Sequence, residues 1–205
     1  GLRKVEKGSI LLDRKNITNE SVKKIRKAGL SHIPEDRNVR GLNRSMTIEE
    51  NIVAAQISDA PFSNGIMLNN TKMLEYTNEL IDKFDIRPRN PQTLTQGMSG
   101  GNAQKIVVAR EVSIGGKVLI ASQPTRGVDI GAIESIRTIL MDVKEKGLGV
   151  LLVSADLEEI FSLSDRIIVM HEGEITGNLQ VDEADEEKVG LLMMGGKRRK
   201  EKCHE

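Results

Sequence analysis

The sequence predicts an α/β protein built on a mostly parallel sheet, with a helical insert between its strands. Val118–Ala121, Leu148–Val153 and Arg166–Met170 are apolar runs without alternation, separated by helical segments. Such runs read as strands buried on both faces, which is the setting of a parallel sheet. Residues 50–97 hold no strand-like run, yet Met73, Thr77, Leu80, Ile81 and Phe84 recur at the spacing of an amphipathic helix. The 205 residues suit one domain of ordinary size, and with 38% hydrophobic but only 2% aromatic residues the core has to be aliphatic.

In chain order, Gly8–Leu12 reads as a short strand and Asp13–Asn16 as a turn, with a helix starting near Ser21, a plausible N-cap. Leu30–Ile33 is a second short strand, stopped by Pro34 and followed by a polar loop to Gly41. Thr47 with Glu50 three residues on has the spacing of a capping box. The insert, expected to have a smaller core of its own, ends in a loop at Pro88 and Pro91. Asn102–Val112 is helical, Gly131–Lys146 is a long helix with Ile133, Ile136, Leu140 and Val143 on one face, and Gly147 stops it. Asp156–Phe161 is a short helix, and Glu174–Asn178 reads as the hairpin partner of the Arg166–Met170 strand across Glu172-Gly173. Asp182–Glu187 places five negative charges on a helix start, where the dipole favours them. Lys197–Lys202 is a basic, solvated tail.

Composition excludes some functions. The 30 Lys+Arg balance the 30 Asp+Glu, which argues against a nucleic-acid binder working by bulk charge. Three Phe and one Tyr leave little for stacking on bases or sugars. The single Cys203 forms no internal disulfide framework, and with His204 in the tail it gives no metal-ligand pattern, so no metal site is assigned. His32 on a strand and His171 before a turn read as packing residues, and Met193-Met194 as helix core or a fraying end. No stretch approaches 18 apolar residues, and the first residues hold no signal-peptide core.

The segment that carries chemistry is Met98-Ser99-Gly100-Gly101-Asn102-Ala103-Gln104-Lys105. A serine and two glycines directly before a helix form a small device. The hydroxyl can cap the helix or donate to an anion, the glycines let backbone approach closely, and the first N–H groups point outward. That suits the terminal phosphates of a nucleotide, and locally an ordinary Ser-Gly-Gly loop remains open as the alternative.

The wider wording resembles the ATP-binding-cassette (ABC) ATPases. Ser99-Gly100-Gly101-Asn102 is similar to their Leu-Ser-Gly-Gly-Gln signature, with Met98 for Leu, and the continuation through Gln104 and Lys105 looks like the variant of tandem sugar and nucleoside importers. Gln123-Pro124-Thr125-Arg126-Gly127-Val128-Asp129, Pro34-Glu35-Asp36-Arg37 and Asn51-Ile52 resemble further segments of the second cassette of that class, in order, and the likeness covers about residues 1–180. The resemblance implies a P-loop NTPase-like cassette with a helical subdomain. Its parts would be an incomplete cassette core at 1–46, the helical subdomain at 47–98, the signature helix and α/β core at 99–180, and a C-terminal helix with the basic tail at 181–205. Ser99, Gly100, Gly101, Asn102 and Gln104 would contact nucleotide, and Asp129 would lie in the loop linking two sites.

The departures from the family pattern are specific. No Gly-x-x-x-x-Gly-Lys-Ser/Thr P-loop occurs in the sequence, which starts with wording similar to the end of the helix that follows one, so the first strand and P-loop are read as absent. Ser122 and Gln123 stand where the family has its acidic pair, Ala155 where it has a switch histidine, and Glu35 near its glutamine. Phosphoryl transfer depends on positioning and charge stabilisation, so this chain is expected to hydrolyse nothing alone. The retained groups would serve the ATP and Mg2+ site of a partner cassette, either the N-terminal half of a tandem protein or a second copy. The resemblance further implies transmembrane permease subunits, a solute-binding protein acting indirectly, no nucleic acid, and a peripheral place on the cytoplasmic face of the membrane. Two other readings stay open: a non-catalytic module that uses the fold to dimerise or dock, and a soluble ABC protein of repair or translation. Sheet edges left open by a missing strand imply marginal stability or dimerisation.

Overall fold

The computed structural model describes residues 1–196, so the basic tail, Cys203 and His204 lie outside the described residues. Two compact units divide at Val153/Ser154.

The first unit opens with a hairpin, β1 (Leu11–Leu12) and β2 (Lys15–Asn16), paired antiparallel. Asp13 and Arg14 turn it with φ of 48° and 63°, the left-handed pair that a two-residue hairpin turn requires. The predicted turn is thus its first two residues, and the other two extend into a strand. Helix α1 (Val22–Lys27) is capped by Ser21, as expected, and leads into β3 (Leu30–Ile33). A single π-type turn, Arg37–Gly41, follows, its start held by the Asp36 carboxylate accepting from the Asn38 and Val39 amides. The Thr47–Glu50 capping box forms at the head of α2 (Ile48–Val53), with Glu50 N–H donating to Thr47 Oγ1 at 3.2 Å and Thr47 N–H to Glu50 Oε2 at 2.8 Å.

Helix α3 (Asn70–Lys83) buries Met73, Thr77, Leu80 and Ile81, and Phe84 at its C-cap is buried too, so all five positions that spacing selects are in the core. It stops at Lys83, ahead of both prolines, because Phe84 closes it and Asp85 takes a left-handed φ of 44°. The helical segment has no core to itself: α2 packs on α3 and also on α4 (Gly100–Ser113), which in turn packs on β3. Buried Ile106, Val107, Val108 and Ala109 make α4 the shared wall.

The sheet of this unit is parallel, in the order β3-β4-β5, with β4 at Val118–Ser122 and β5 at Gly149–Val153. Between them runs α5 (Ile130–Glu145), burying Ala132, Ile136, Leu140 and Val143, and Gly147 (φ 88°) ends it. Ile133 is only half-buried, so Ala132 takes the place expected for it on the inner face. Burial of β5 on both faces is not observed: Leu151 is 52% and Val153 49% exposed. The exposed pair lies on one face of the strand, while Val150 and Leu152 on the other are half-buried, so β5 is covered on one side more than the other.

The second unit holds α6 (Leu157–Leu163), the antiparallel hairpin β6 (Arg166–His171) and β7 (Glu174–Gln180), and α7 (Glu186–Met193). The hairpin partner is where the sequence places it, but β6 is not a strand buried on both faces. Ile167 and Val169 face a core with Leu179, Val189 and Leu192, while Ile168 (45%) and Met170 (63%) are exposed. The alternation is real, and it is hidden in the sequence because the outward positions are apolar too. Asp185 caps α7, with Glu186 and Glu187 in its first turn, so part of the acidic run sits where the helix dipole favours it.

Candidate functional site: the capped start of α4

Ser99 is the N-cap of α4, extended at φ −61° and ψ 154° and exposed to solvent. Its Oγ accepts from the Asn102 backbone N–H at 3.4 Å and from Asn102 Nδ2 at 3.1 Å. The first intrahelical bond runs from Ala103 N–H to Ser99 O at 2.9 Å. The Gly100 and Gly101 amides therefore precede the helical ladder, and they are the donors a helix start offers to an anion.

The glycines are held from behind by the chain itself. A Cβ on Gly100 would stand 2.7 Å from Arg37 Nη2 and 2.7 Å from the Gly127 carbonyl oxygen, and one on Gly101 would stand 2.5 Å from Asp129 Oδ2 and 2.8 Å from Ala132 Cβ. Close approach is required here as the sequence implies, but the approaching groups are protein groups: Gly127 and Asp129 from the loop between β4 and α5, Arg37 from the π-type turn, and Ala132 from α5. Asp129 is exposed and caps α5, its Oδ1 accepting from Ala132 N–H at 3.0 Å.

Asn102 is half-buried and tied down, since its Oδ1 accepts from Arg87 N–H at 2.7 Å. Gln104 is buried and turned inward, its Nε2 donating to the Pro124 carbonyl at 2.7 Å. Lys105 reaches Asp85, donating to its carbonyl at 3.1 Å and facing its carboxylate at 3.7 Å. Burial pushes the Asp85 carboxyl up, but the hydrogen bond and charge of Arg87 and the charge of Lys105 outweigh it and hold the group below the usual carboxylate range.

The remaining singled-out positions fall on the strand ends and loops. Ser122 closes β4 half-buried, and Gln123 follows with a left-handed φ of 49°, its N–H donating to Val153 O at 2.7 Å. Neither carries charge, so the end of β4 offers no carboxylate anchor for a cation. Glu35 is exposed and pairs with Arg126. Ala155 is an exposed residue of the second unit, two positions before α6 begins.

Sequence reasoning missed two features. Arg37 belongs to a loop read as a charged segment that resembles part of a cassette, with no role toward the α4 start, yet its Nη1 donates to Arg126 O at 2.6 Å and its Nη2 to Gly127 O at 2.8 Å. Glu111, 2% exposed, accepts from Arg26 Nη2 at 3.0 Å, from the His32 amide at 3.2 Å and from Arg110 Nε at 2.9 Å, while Arg110 Nη1 reaches Asn51 O at 3.3 Å. A charged Arg-Glu pair inside the apolar stretch Ile106–Val112 was the available signal.

The parallel-sheet fold with the Ser-Gly-Gly helix start fits an ABC cassette, and the family comparison shows it: residues 1–126 match the profile described as ABC transporter, so the chain belongs to that family. Among its relatives are the nucleoside import ATP-binding protein NupA of Lactococcus lactis subsp. cremoris (41% identical; 96% of this chain, 39% of that protein) and the glucose import ATP-binding protein TsgD13 of Haloferax volcanii (41%; 96% and 36%). The ribose import ATP-binding protein RbsA of Bacillus subtilis is 37% identical over 96% of this chain and 40% of its own length. The chain thus spans about two fifths of the curated relatives it matches. A dimeric structure of MJ0796, a bacterial ABC transporter cassette, superposes with a TM-score of 0.74 at 22% identity, covering 88% of this chain and 76% of that one, which shows the shared fold.

Proposed function

We propose that this chain is a nucleotide-binding cassette segment of an ABC importer for sugars or nucleosides, and that it lends the Ser99–Asn102 helix start to an ATP site completed by a partner cassette. The observation that carries the reading is the contrast within one chain. The start of α4 has a capping serine, two amides ahead of the ladder and Asp129 behind them, whereas Ser122, Gln123 and Ala155 supply neither charge nor a base.

Ser99 Oγ and the Gly100 and Gly101 amides would bind the terminal phosphate oxygens of ATP, with Asp129 as the link between sites. Asn102 and Gln104 would act by holding Ser99 and the Pro124 loop in place. Such fixed donors stabilise developing negative charge without reorganising. Mg2+, anchored by the partner, would neutralise charge on the triphosphate. The relatives' names support import of nucleosides or sugars. The same reading assigns residues 47–98 to a helical subdomain and turns the Glu35–Arg37 loop toward transmembrane permease subunits on the cytoplasmic face, with a solute-binding protein acting at one remove. Among the described residues no helix is long and apolar enough to cross a membrane.

The test is ATP turnover by this chain joined to a P-loop-bearing cassette. Ser99→Arg is expected to lower turnover by about 100-fold, the scale of losing one fixed oxyanion donor. Turnover indifferent to that change points instead to a docking module, and steady hydrolysis by the purified chain alone defeats the claim that its own residues are insufficient.

A further inference from the structure

We propose that Arg37 is a positioning residue: its guanidinium brackets the Arg126–Gly127 carbonyls against the start of α4 and so fixes Ser99 and Asp129 as one preformed edge. The inference deepens the proposed nucleotide role and rests on it for its catalytic consequence alone.

The base of Arg37 is rigid. Asp36 caps the turn that Arg37 begins, and the Arg37 carbonyl accepts from Leu42 N–H at 2.8 Å. Its fork then spans two successive carbonyls, Arg126 O at 2.6 Å and Gly127 O at 2.8 Å, across a loop whose Gly127 has a φ of 65°. A planar guanidinium can hold both at once, whereas an ammonium is a point donor. Gly100 rests directly on this bracket, since a Cβ there would meet Arg37 Nη2 and Gly127 O, each at 2.7 Å. Asp129, two residues past Gly127, backs Gly101 in the same way. The loop has other ties as well: the Gln123 N–H donates to Val153 O at 2.7 Å and the Arg126 N–H to Gln123 O at 3.1 Å. Gln104 grips Pro124, upstream of the bend, and the Arg126–Glu35 pair is exposed on both sides, a kind of pair that contributes little. The segment around residues 35–37 is thereby linked mechanically to the phosphate-facing edge.

The experiment compares Arg37→Ala and Arg37→Lys in the cassette pair, reading backbone hydrogen exchange and ATP kinetics together. Arg37→Ala is expected to raise exchange about tenfold or more in both 99–103 and 126–132, the scale of losing hydrogen bonds to a charged donor. It is also expected to lower kcat with little change in KM, and Arg37→Lys is expected to fall between. Exchange that rises only around 35–41, or an Arg37→Ala variant whose kcat is intact while Ser99→Arg lowers turnover, overturns the proposal. Faster exchange in both segments with turnover untouched by either Arg37→Ala or Ser99→Arg keeps the bracket and overturns the nucleotide reading instead.

Discussion

Adding one methyl group to Gly101 and one to Gly131 has opposite consequences. Alanine at 101 must place its Cβ 2.5 Å from Asp129 Oδ2 and 2.8 Å from Ala132 Cβ. The carboxylate is a short side chain already committed to capping α5, and Ala132 Cβ is fixed to that helix's backbone, so neither yields cheaply. Overpacking of this kind costs about 1–3 kcal/mol, and disturbing the Asp129 cap adds up to about 1 kcal/mol. The gain in helix propensity from Gly to Ala, at most about 1 kcal/mol, offsets part of that. The net expectation for Gly101→Ala is destabilisation by about 1–3 kcal/mol. Gly131, an exposed residue in the first turn of α5, has Asp129 Oδ1 at 3.6 Å as its nearest obstacle, an ordinary contact. Gly131→Ala should therefore stabilise by about 0.5–1 kcal/mol. Urea unfolding, followed by hydrogen exchange in α4 and α5 because the chain has two units, measures both. In an Asp129→Ala background the Gly101→Ala cost should shrink without vanishing, since the contact with Ala132 Cβ remains. Equal effects of the two alanines would refute the claim that α4 and α5 meet through Gly101.

Two further outcomes follow from the buried network. Glu111→Ala strands the Arg110 and Arg26 guanidiniums and is expected to cost about 3–5 kcal/mol in urea unfolding. His32 has its pKa pushed below the ordinary 6.5, first by burial and then by Arg26 and Arg40, with Glu111 opposing. Above pH 6.5 the imidazole is neutral in both states and contributes nothing. Below it the unfolded chain takes up the proton first, so stability falls as pH drops toward the folded pKa. His32→Gln should flatten the stability profile below pH 6.5 and run parallel to the parent above it, and an unchanged acid limb rejects the assignment.

Local signals were legible where neighbours in sequence are neighbours in space. Ser21, Thr47 and Ser99 cap their helices within three residues of their partners, and a serine or a Thr-x-x-Glu states that directly. Strand burial was less legible. An apolar run shows what a strand can bury and leaves open how many faces are covered, so exposed Leu151 and Met170 read the same as buried Leu119. Gln104 shows the same limit at the site, because a polar residue one turn into a helix gives no sign of whether it faces a ligand or a carbonyl twenty residues away.

The Ser-Gly-Gly segment joins both kinds of information. Its serine and its free amides follow from the sequence alone, since any helix start has them. Its glycines have a second cause that no local window contains. Arg37 lies 90 positions from the Gly127 carbonyl it binds, and together those groups occupy the space where a side chain on Gly100 would go. Small residues at 100 and 101 are thus fixed by packing against Arg37, the β4–α5 loop and the start of α5 before any ligand is considered. A helix start that must already be bare for internal reasons presents its amides without further cost. That is a physical route by which one pair of glycines can serve the fold and an anion-facing edge together.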